Sequence, residues 1–134
     1  MSTIAFEVRF ILSTMLHLII FLSTFFTSPT PLVRLAEIEI RPGHEKAYLE
    51  ILNEEVRLSL EKEPGVWAIL PTVDGQKVRI LEVYADTAAY QSHILSPHFL
   101  HYKKATEHMI ATLVLRDLKI SDPSFLAATL KKAK

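Results

Sequence analysis

Four of the six histidines crowd into one stretch of the chain, at His93, His98, His101 and His108. Imidazole takes up and returns protons near neutral pH, so this stretch is the first place where acid–base chemistry is expected. Helical spacing sorts the four, at about 100° per residue. In a helix that starts after Ser96, the residues Phe99, Tyr102, Ala105, Thr106, Met109 and Ile110 share the inward face. His98 falls at its margin beside Tyr102, while His101 and His108 point the other way, to solvent. His93 follows Tyr90 by three positions and shares its apolar side. His93 and His98 are therefore candidate pocket residues and candidate bases, and helix packing or capping is the alternative. Glu55 and Ser59 sit within the apolar face of an earlier helix, where a carboxylate must be paired, hydrogen-bonded or shifted in pKa. Glu82 and Tyr84, two apart on a strand, point the same way: they line a covered face together, or form a surface Glu beside a packing Tyr. Trp67, the lone tryptophan, is read as core, as dimer interface or as a wall of the substrate site. Tyr102 is a candidate positioning residue. Lys103 borders the inward face of its helix, ready for an anionic substrate group or for water.

Several chemistries are excluded. Without cysteine there is no disulfide framework, thiolate metal site or Cys nucleophile. The three glycines stand in Pro-Gly, Pro-Gly and Asp-Gly turns, leaving none for a phosphate-cradling loop. No matched His-x-x-x-His pair occurs, and the break at Ser96-Pro97 is expected to scramble any ligand geometry, so no metal is expected. Neither a nucleophile elbow nor a zincin helix is present. Fifteen basic residues balance fifteen acidic ones, which leaves no surplus charge for a nucleic-acid backbone.

The elements that must hold these residues can be read from periodicity. Leu32–Ile40 alternates as a strand, with Ala36, Ile38 and Ile40 on one face and Leu35, Glu37 and Glu39 on the other. Arg41-Pro42-Gly43 turns the chain into a helix over His44–Lys62, whose apolar face comprises Tyr48, Ile51, Leu52, Val56, Leu58 and Leu60. Glu63-Pro64-Gly65 stops it. Val66–Val73 and Lys77–Tyr84 are strands joined at Asp74-Gly75-Gln76, and Pro71 suggests an edge or a bulge. Asp86 caps a short helix over Thr87–Leu95. Ser96-Pro97 starts another that runs to about Ile110, Ser as N-cap and Pro in the first turn. Ala111–Ile120 is the last strand, and residues 121–134 form a tail with a short helix. The order β-α-β-β-α-β is the ferredoxin-like pattern, an α+β fold. Its sheet carries helices on one face only. Covering the bare face with a second copy, against large side chains such as Trp67 or Tyr84, predicts a homodimer.

Residues 1–31 are different in kind. No formally charged residue lies between Arg9 and Arg34, and Phe10–Phe26 is almost wholly apolar. The run has the apolar stretch of a secretory signal but a weak basic start and a poor cleavage site. It is also near the lower length limit for a spanning anchor. The expectation is a domain over residues 32–120 that is membrane-anchored or exported, for instance to a periplasm. A start site placed too early would make it cytoplasmic instead.

The run Glu82-Val83-Tyr84-Ala85-Asp86, then Tyr90-Gln91-Ser92-His93 and Ser96-Pro97-His98-Phe99, resembles the antibiotic biosynthesis monooxygenase domain. Arg41-Pro42-Gly43-His44 and Glu63-Pro64-Gly65 are similar too, and the likeness covers about residues 33–118. It implies a dimeric α/β barrel and small enzymes that oxidise quinols or polyketide phenols with molecular oxygen and no cofactor. Other members degrade haem or isomerise a phosphorylated ketose. Tyr84 replaces the family's tryptophan, and Lys103 falls where haem-degrading relatives carry their ligand histidine, which disfavours haem. The leading expectation is a cofactor-independent monooxygenase or quinol oxidase for a small aromatic or quinone-like substrate. His93 or His98 would be its base, Tyr84 and Tyr102 would position the substrate, and Trp67 would form a wall. The alternatives are a phosphoketose isomerase, with Lys103, Arg79 or Arg57 holding phosphate, and a non-enzymatic ligand-binding dimer.

Overall fold

Strand β1 spans Leu32–Ile40 in the computed structural model, which describes residues 30–132. Its even-numbered residues Ala36, Ile38 and Ile40 are buried beneath helices, as the alternation requires. Helix α1 (Glu45–Lys62) follows the Arg41–Gly43 turn. It buries Tyr48, Leu52, Glu55 and Ser59, spaced so that they lie on one stripe. The stripe is narrower than the sequence pattern suggested. Leu60 lies a third of a turn off it and is half exposed, so the helix finishes its buried face with a carboxylate and a hydroxyl. Pro64 ends the helix, and the Glu63 amide donates to the Ser59 carbonyl at 3.0 Å.

Strands β2 (Val66–Asp74) and β3 (Lys77–Tyr84) form a hairpin closed by Gly75 and Gln76. Gly75 has φ +59°, the conformation that a two-residue hairpin asks of its first loop position and glycine adopts freely. The β2–β3 register slips between Val66 and Ala68, so Trp67 is the unpaired residue of a bulge and is 38% exposed. Helix α2 (Thr87–His93) is capped by Asp86, which accepts from the Ala89 amide at 2.8 Å. Helix α3 (Pro97–Thr106) is capped by Ser96, which accepts from the Phe99 amide at 3.2 Å. A 3₁₀ turn over Glu107–Met109, where the sequence suggested continuous helix, leads into β4 (Ile110–Leu118). Helix α4 (Pro123–Lys132) follows. No helix among the described residues is long and apolar enough to cross a membrane, and Phe10–Phe26 lies outside those residues.

The sheet is fully antiparallel in the order β2-β3-β1-β4, and it is open, with β2 and β4 as edges. Val66, Ile69, Val78, Ile80 and Tyr84 join the even-numbered residues of β1 against Tyr48 and Leu52. Tyr84 is thus fully buried under the helices. That corrects the expectation that it would stand on the bare face: from Tyr84, Glu82 and Ile80 follow at period two on the helix side of β3. The opposite face carries Leu35, Leu81 and Leu70 in one cross-strand row, and Glu37, which faces Arg79 directly and reaches Arg116 on the diagonal.

Gly65 lets α2 settle onto the start of β2. A Cβ built there would lie 2.6 Å from the Ala89 Cβ, a short side chain that cannot swing away. Gly65→Ala is expected to lower unfolding stability by about 1–3 kcal/mol. Denaturant titration checks this, and an unchanged midpoint would show that α2 is not seated as described.

Candidate functional site

The break between α2 and α3, expected to scramble the histidines, instead brings them together. His93 closes the last turn of α2 and His98 opens the first turn of α3, so the turn between them folds both rings inward, 6.4 Å apart. Glu63 reaches them from the end of α1. Its Oε1 lies 2.9 Å from His93 Nδ1 and 2.6 Å from His98 Nε2. Burial alone would raise the Glu63 carboxyl, but the two imidazole hydrogen bonds outweigh it and hold the group below its ordinary value. An ionised carboxylate only accepts. His93 therefore presents Nδ1–H to Glu63, and its Nε2 carries the lone pair when the ring is neutral. That nitrogen faces Glu55 Oε1 at 3.7 Å. Glu55 is itself buried and accepts from Ser59 Oγ at 2.6 Å. Burial is the main effect on the Glu55 carboxyl and pushes it up, against the Ser59 hydrogen bond and the nearby His93 and His98.

A cavity of about 90 Å³ lies between these helices and the sheet. Its apolar lining includes Ile38, Leu52, Ile69, Ile80, Leu113 and Leu115, and its polar end gathers Arg34, Glu55, Glu82, Tyr84, His93 and Tyr102. The His93 ring is wedged between Tyr84 and Phe99, with centroids 5.4 and 4.8 Å away. Tyr84 donates to Glu82 at 3.0 Å. The Tyr48 and Tyr102 hydroxyls share a hydrogen bond of 2.6 Å, and burial pushes the Tyr102 phenol up to about 12. Arg34 faces Glu82 on one neighbouring strand and Asp117 on the other. It donates to Asp117 at 2.7 Å, and its guanidinium carbon sits 4.0 Å from the centre of the Tyr90 ring. A buried imidazole with a free lone pair, a fixed cation and two phenols therefore converge on one small space.

Beyond Glu55 and Tyr102 lies a groove of about 710 Å³ between α1 and α3, also lined by Ile51, Leu58, Glu63, Pro97, His98 and His101. Glu55 and Tyr102 border both spaces and form the wall between them. His93 thus belongs to the inner cavity and His98 to the outer groove, although one carboxylate ties them together. Of the residues singled out from sequence, Glu55, Glu82, Tyr84, His93 and Tyr102 meet at the cavity. Trp67 and Lys103 stand away from it, Lys103 on the exposed side of α3. Arg57 is engaged by Glu54 and Glu61 on the surface of α1, and Arg79 lies on the bare sheet face, so the proposed phosphate holders do not converge. Two residues escaped the sequence reading. Glu63 looked like part of a helix stop. Arg34 has the same parity as Ala36, Ile38 and Ile40, so a charge on the buried face of β1 was available as a signal.

An open antiparallel sheet covered by helices on one face, with an imidazole–carboxylate cluster beneath them, defines a ferredoxin-like α+β protein with a built pocket. Residues 31–105 match the model of the antibiotic biosynthesis monooxygenase domain, and the chain belongs to that family. A Bacteroides thetaiotaomicron protein described as a proposed antibiotic biosynthesis monooxygenase is 40% identical, with 69% of this chain and 91% of that one covered at a TM-score of 0.68. A Pseudomonas aeruginosa protein is 26% identical over 71% of this chain and 98% of its own, TM-score 0.65. A Caulobacter crescentus protein at 17% identity shares the fold, covering 71% of this chain and 93% of its own at a TM-score of 0.67. No curated protein matches the chain.

Burial is the larger effect on Glu82 and raises its carboxyl above the ordinary value, while the Tyr84 hydrogen bond opposes this. An acid whose folded pKa is raised makes the native state bind a proton more readily than the unfolded one. Native stability therefore improves as pH falls into the carboxylate range, and ionised Glu82 costs stability above it. Glu82→Gln keeps an oxygen for Tyr84 and is expected to raise the denaturation midpoint at about pH 8, with the gap closing near pH 4. A gap that does not change with pH would refute this account.

Proposed function

We propose that this domain oxidises a small electron-rich aromatic, a quinol or a polyphenol, with molecular oxygen as oxidant and no added cofactor. The observation that carries the reading is His93: buried, oriented from behind by ionised Glu63, and facing the cavity beside Arg34 and Tyr102. A phenol gives its proton to His93 Nε2 and becomes a phenolate, which is electron-rich enough to reduce oxygen itself. Arg34 supplies positive potential for the developing anion, and the Tyr102 hydroxyl, when it accepts from Tyr48, is free to donate a hydrogen bond to it. In the oxidase outcome the quinol loses two electrons and two protons to O₂, giving quinone and hydrogen peroxide. In the monooxygenase outcome a ring C–H ortho or para to the phenolic oxygen becomes C=O, giving a quinone: one oxygen atom enters that carbon and the other leaves as water with the ring hydrogen and the phenolic proton.

The cavity volume favours a compact substrate. About 90 Å³ is well under the roughly 300 Å³ at the small end of drug-sized pockets. A larger ring system would enter from the outer groove by moving Glu55 and Tyr102. The apolar run Phe10–Phe26, read as signal or anchor, would bring the domain to or across a membrane, where lipophilic quinols partition.

A homodimer belongs to the same proposal. Leu113 and Leu115 line the cavity from β4 and are half exposed, so one chain alone leaves that side open to water. Leu70, Leu81, Val114 and Leu118 form an exposed apolar field on the bare sheet face. A second copy seated there would cover this apolar field.

Oxygen uptake by the full chain with a panel of quinols and polyphenols tests the reading. His93→Ala is expected to lower turnover by roughly 10²–10⁴-fold. An unchanged rate would remove His93 as base, and no uptake across the panel would overturn the oxidase reading. Leu81→Glu is expected to convert a dimer to single chains in analytical ultracentrifugation, and a dimer that survives it would place the interface elsewhere.

A further inference from the structure

We infer that Glu55, His93 and His98 form a binding site for a divalent transition-metal cation of the zinc type. One ligand atom from each of the three lies within 4.8 Å of the others, and two of the three residues are buried. Two carboxylate or imidazole ligands held at tetrahedral angles around zinc stand about 3.4 Å apart, given bonds of about 2.0–2.1 Å. Glu55 Oε1 and His93 Nε2 are 3.7 Å apart, close to that spacing, and make no hydrogen bond to each other.

The surroundings match what metal-ligating residues require. A ligating histidine usually donates its second ring nitrogen to a carboxylate, which fixes the tautomer and aims the lone pair. His93 does this through Nδ1 to Glu63 at 2.9 Å. Ser59 Oγ fixes the Glu55 carboxylate in the same way at 2.6 Å. His98 Nε2 rests on Glu63, 2.6 Å away, and a turn of that ring from Glu63 toward Glu55 completes the set. Two carboxylates, Glu55 and Glu63, then offset the charge of a dication in a largely buried place. Access comes from the outer groove, which Glu55, Glu63 and His98 all line, and that side leaves room for a further ligand. Two imidazoles and one carboxylate with an open position suit zinc or ferrous iron better than magnesium or calcium, which prefer oxygen alone.

The site shares His93 with the oxidase reading but does not rest on it, and it is tested apart from it. A cation and a proton compete for His93 Nε2, so a loaded site would withdraw that ring from proton transfer. The full chain, stripped with a chelator and dialysed, is titrated with Zn²⁺ by calorimetry and with Co²⁺ by visible absorption. One Zn²⁺ per chain is expected, with the intense bands of four-coordinate Co²⁺. His98→Ala and Glu55→Gln are each expected to weaken binding at least on the order of 100-fold, and Glu63→Gln by roughly 10–100-fold. Circular dichroism checks that each variant is folded, and a folded member of the first pair suffices. His108→Ala, which alters the separate edge-to-face pair with His44, is expected to change nothing. Absence of saturable binding would overturn the inference. So would binding that survives in folded His98→Ala or Glu55→Gln, or that is lost in His108→Ala.

Discussion

A single carboxylate holds the helical layer together. Glu63 accepts from His93 and His98 with one oxygen, and those three residues belong to the ends of three different helices. The helices around the cavity are therefore tied at one point, not only packed. Burying a carboxylate costs several kcal/mol unless its hydrogen bonds are made, and here two imidazoles make them. A shorter Asp would not span from the end of α1. A neutral amide would accept more weakly and would leave the two imidazoles competing for it. The position is possible only because Pro64 and Gly65 stop α1 within reach of the α2–α3 turn.

The sheet contributes the complementary half. Along one row the helix side of the sheet reads Ile69, Glu82, Arg34 and Asp117, so the apolar core gives way to charge at the end where Tyr84 and His93 stand. Such a row does not maximise stability. Burial raises Glu82 and Glu55, and both Tyr48 and Tyr84 are pushed well above the ordinary phenol value by enclosure. Groups held away from their preferred ionisation concentrate where chemistry is done, and the packing of Tyr48, Leu52 and Ile38 offsets the cost elsewhere.

Much of this was legible in the chain because local rules and the fold agree. Alternation in Leu32–Ile40, Asp-Gly between two apolar runs and Ser-Pro before Phe99 each placed an element within a few residues of its observed bounds. The β-α-β-β-α-β order followed from them. Less legible were facts that depend on register. Period two fixes that Glu82 and Tyr84 share a face but not which face, and only pairing with β1 puts them under the helices. The bulge at Trp67 displaces the one tryptophan from a row it would otherwise have joined. Glu63 could not be singled out from spacing, since its partners lie 30 and 35 residues away across a turn whose geometry no periodicity describes.

The placement of β1 between β3 and β4 has a consequence for how the protein is made. The first strand of the domain to be synthesised is central, and the Arg34 guanidinium closes on Asp117 across 83 residues. Contacts of such span form late, because the intervening chain must first surrender its entropy. As the chain emerges from the ribosome, the β2–β3 hairpin can form on its own, but β1 lacks one of its two neighbours until β4 arrives. Until then the Arg34 side of the cavity has no wall. A chain truncated before β4 would present the apolar edge of β1 to its neighbours, and this makes the last strand a guard against misassembly as well as a lining of the pocket.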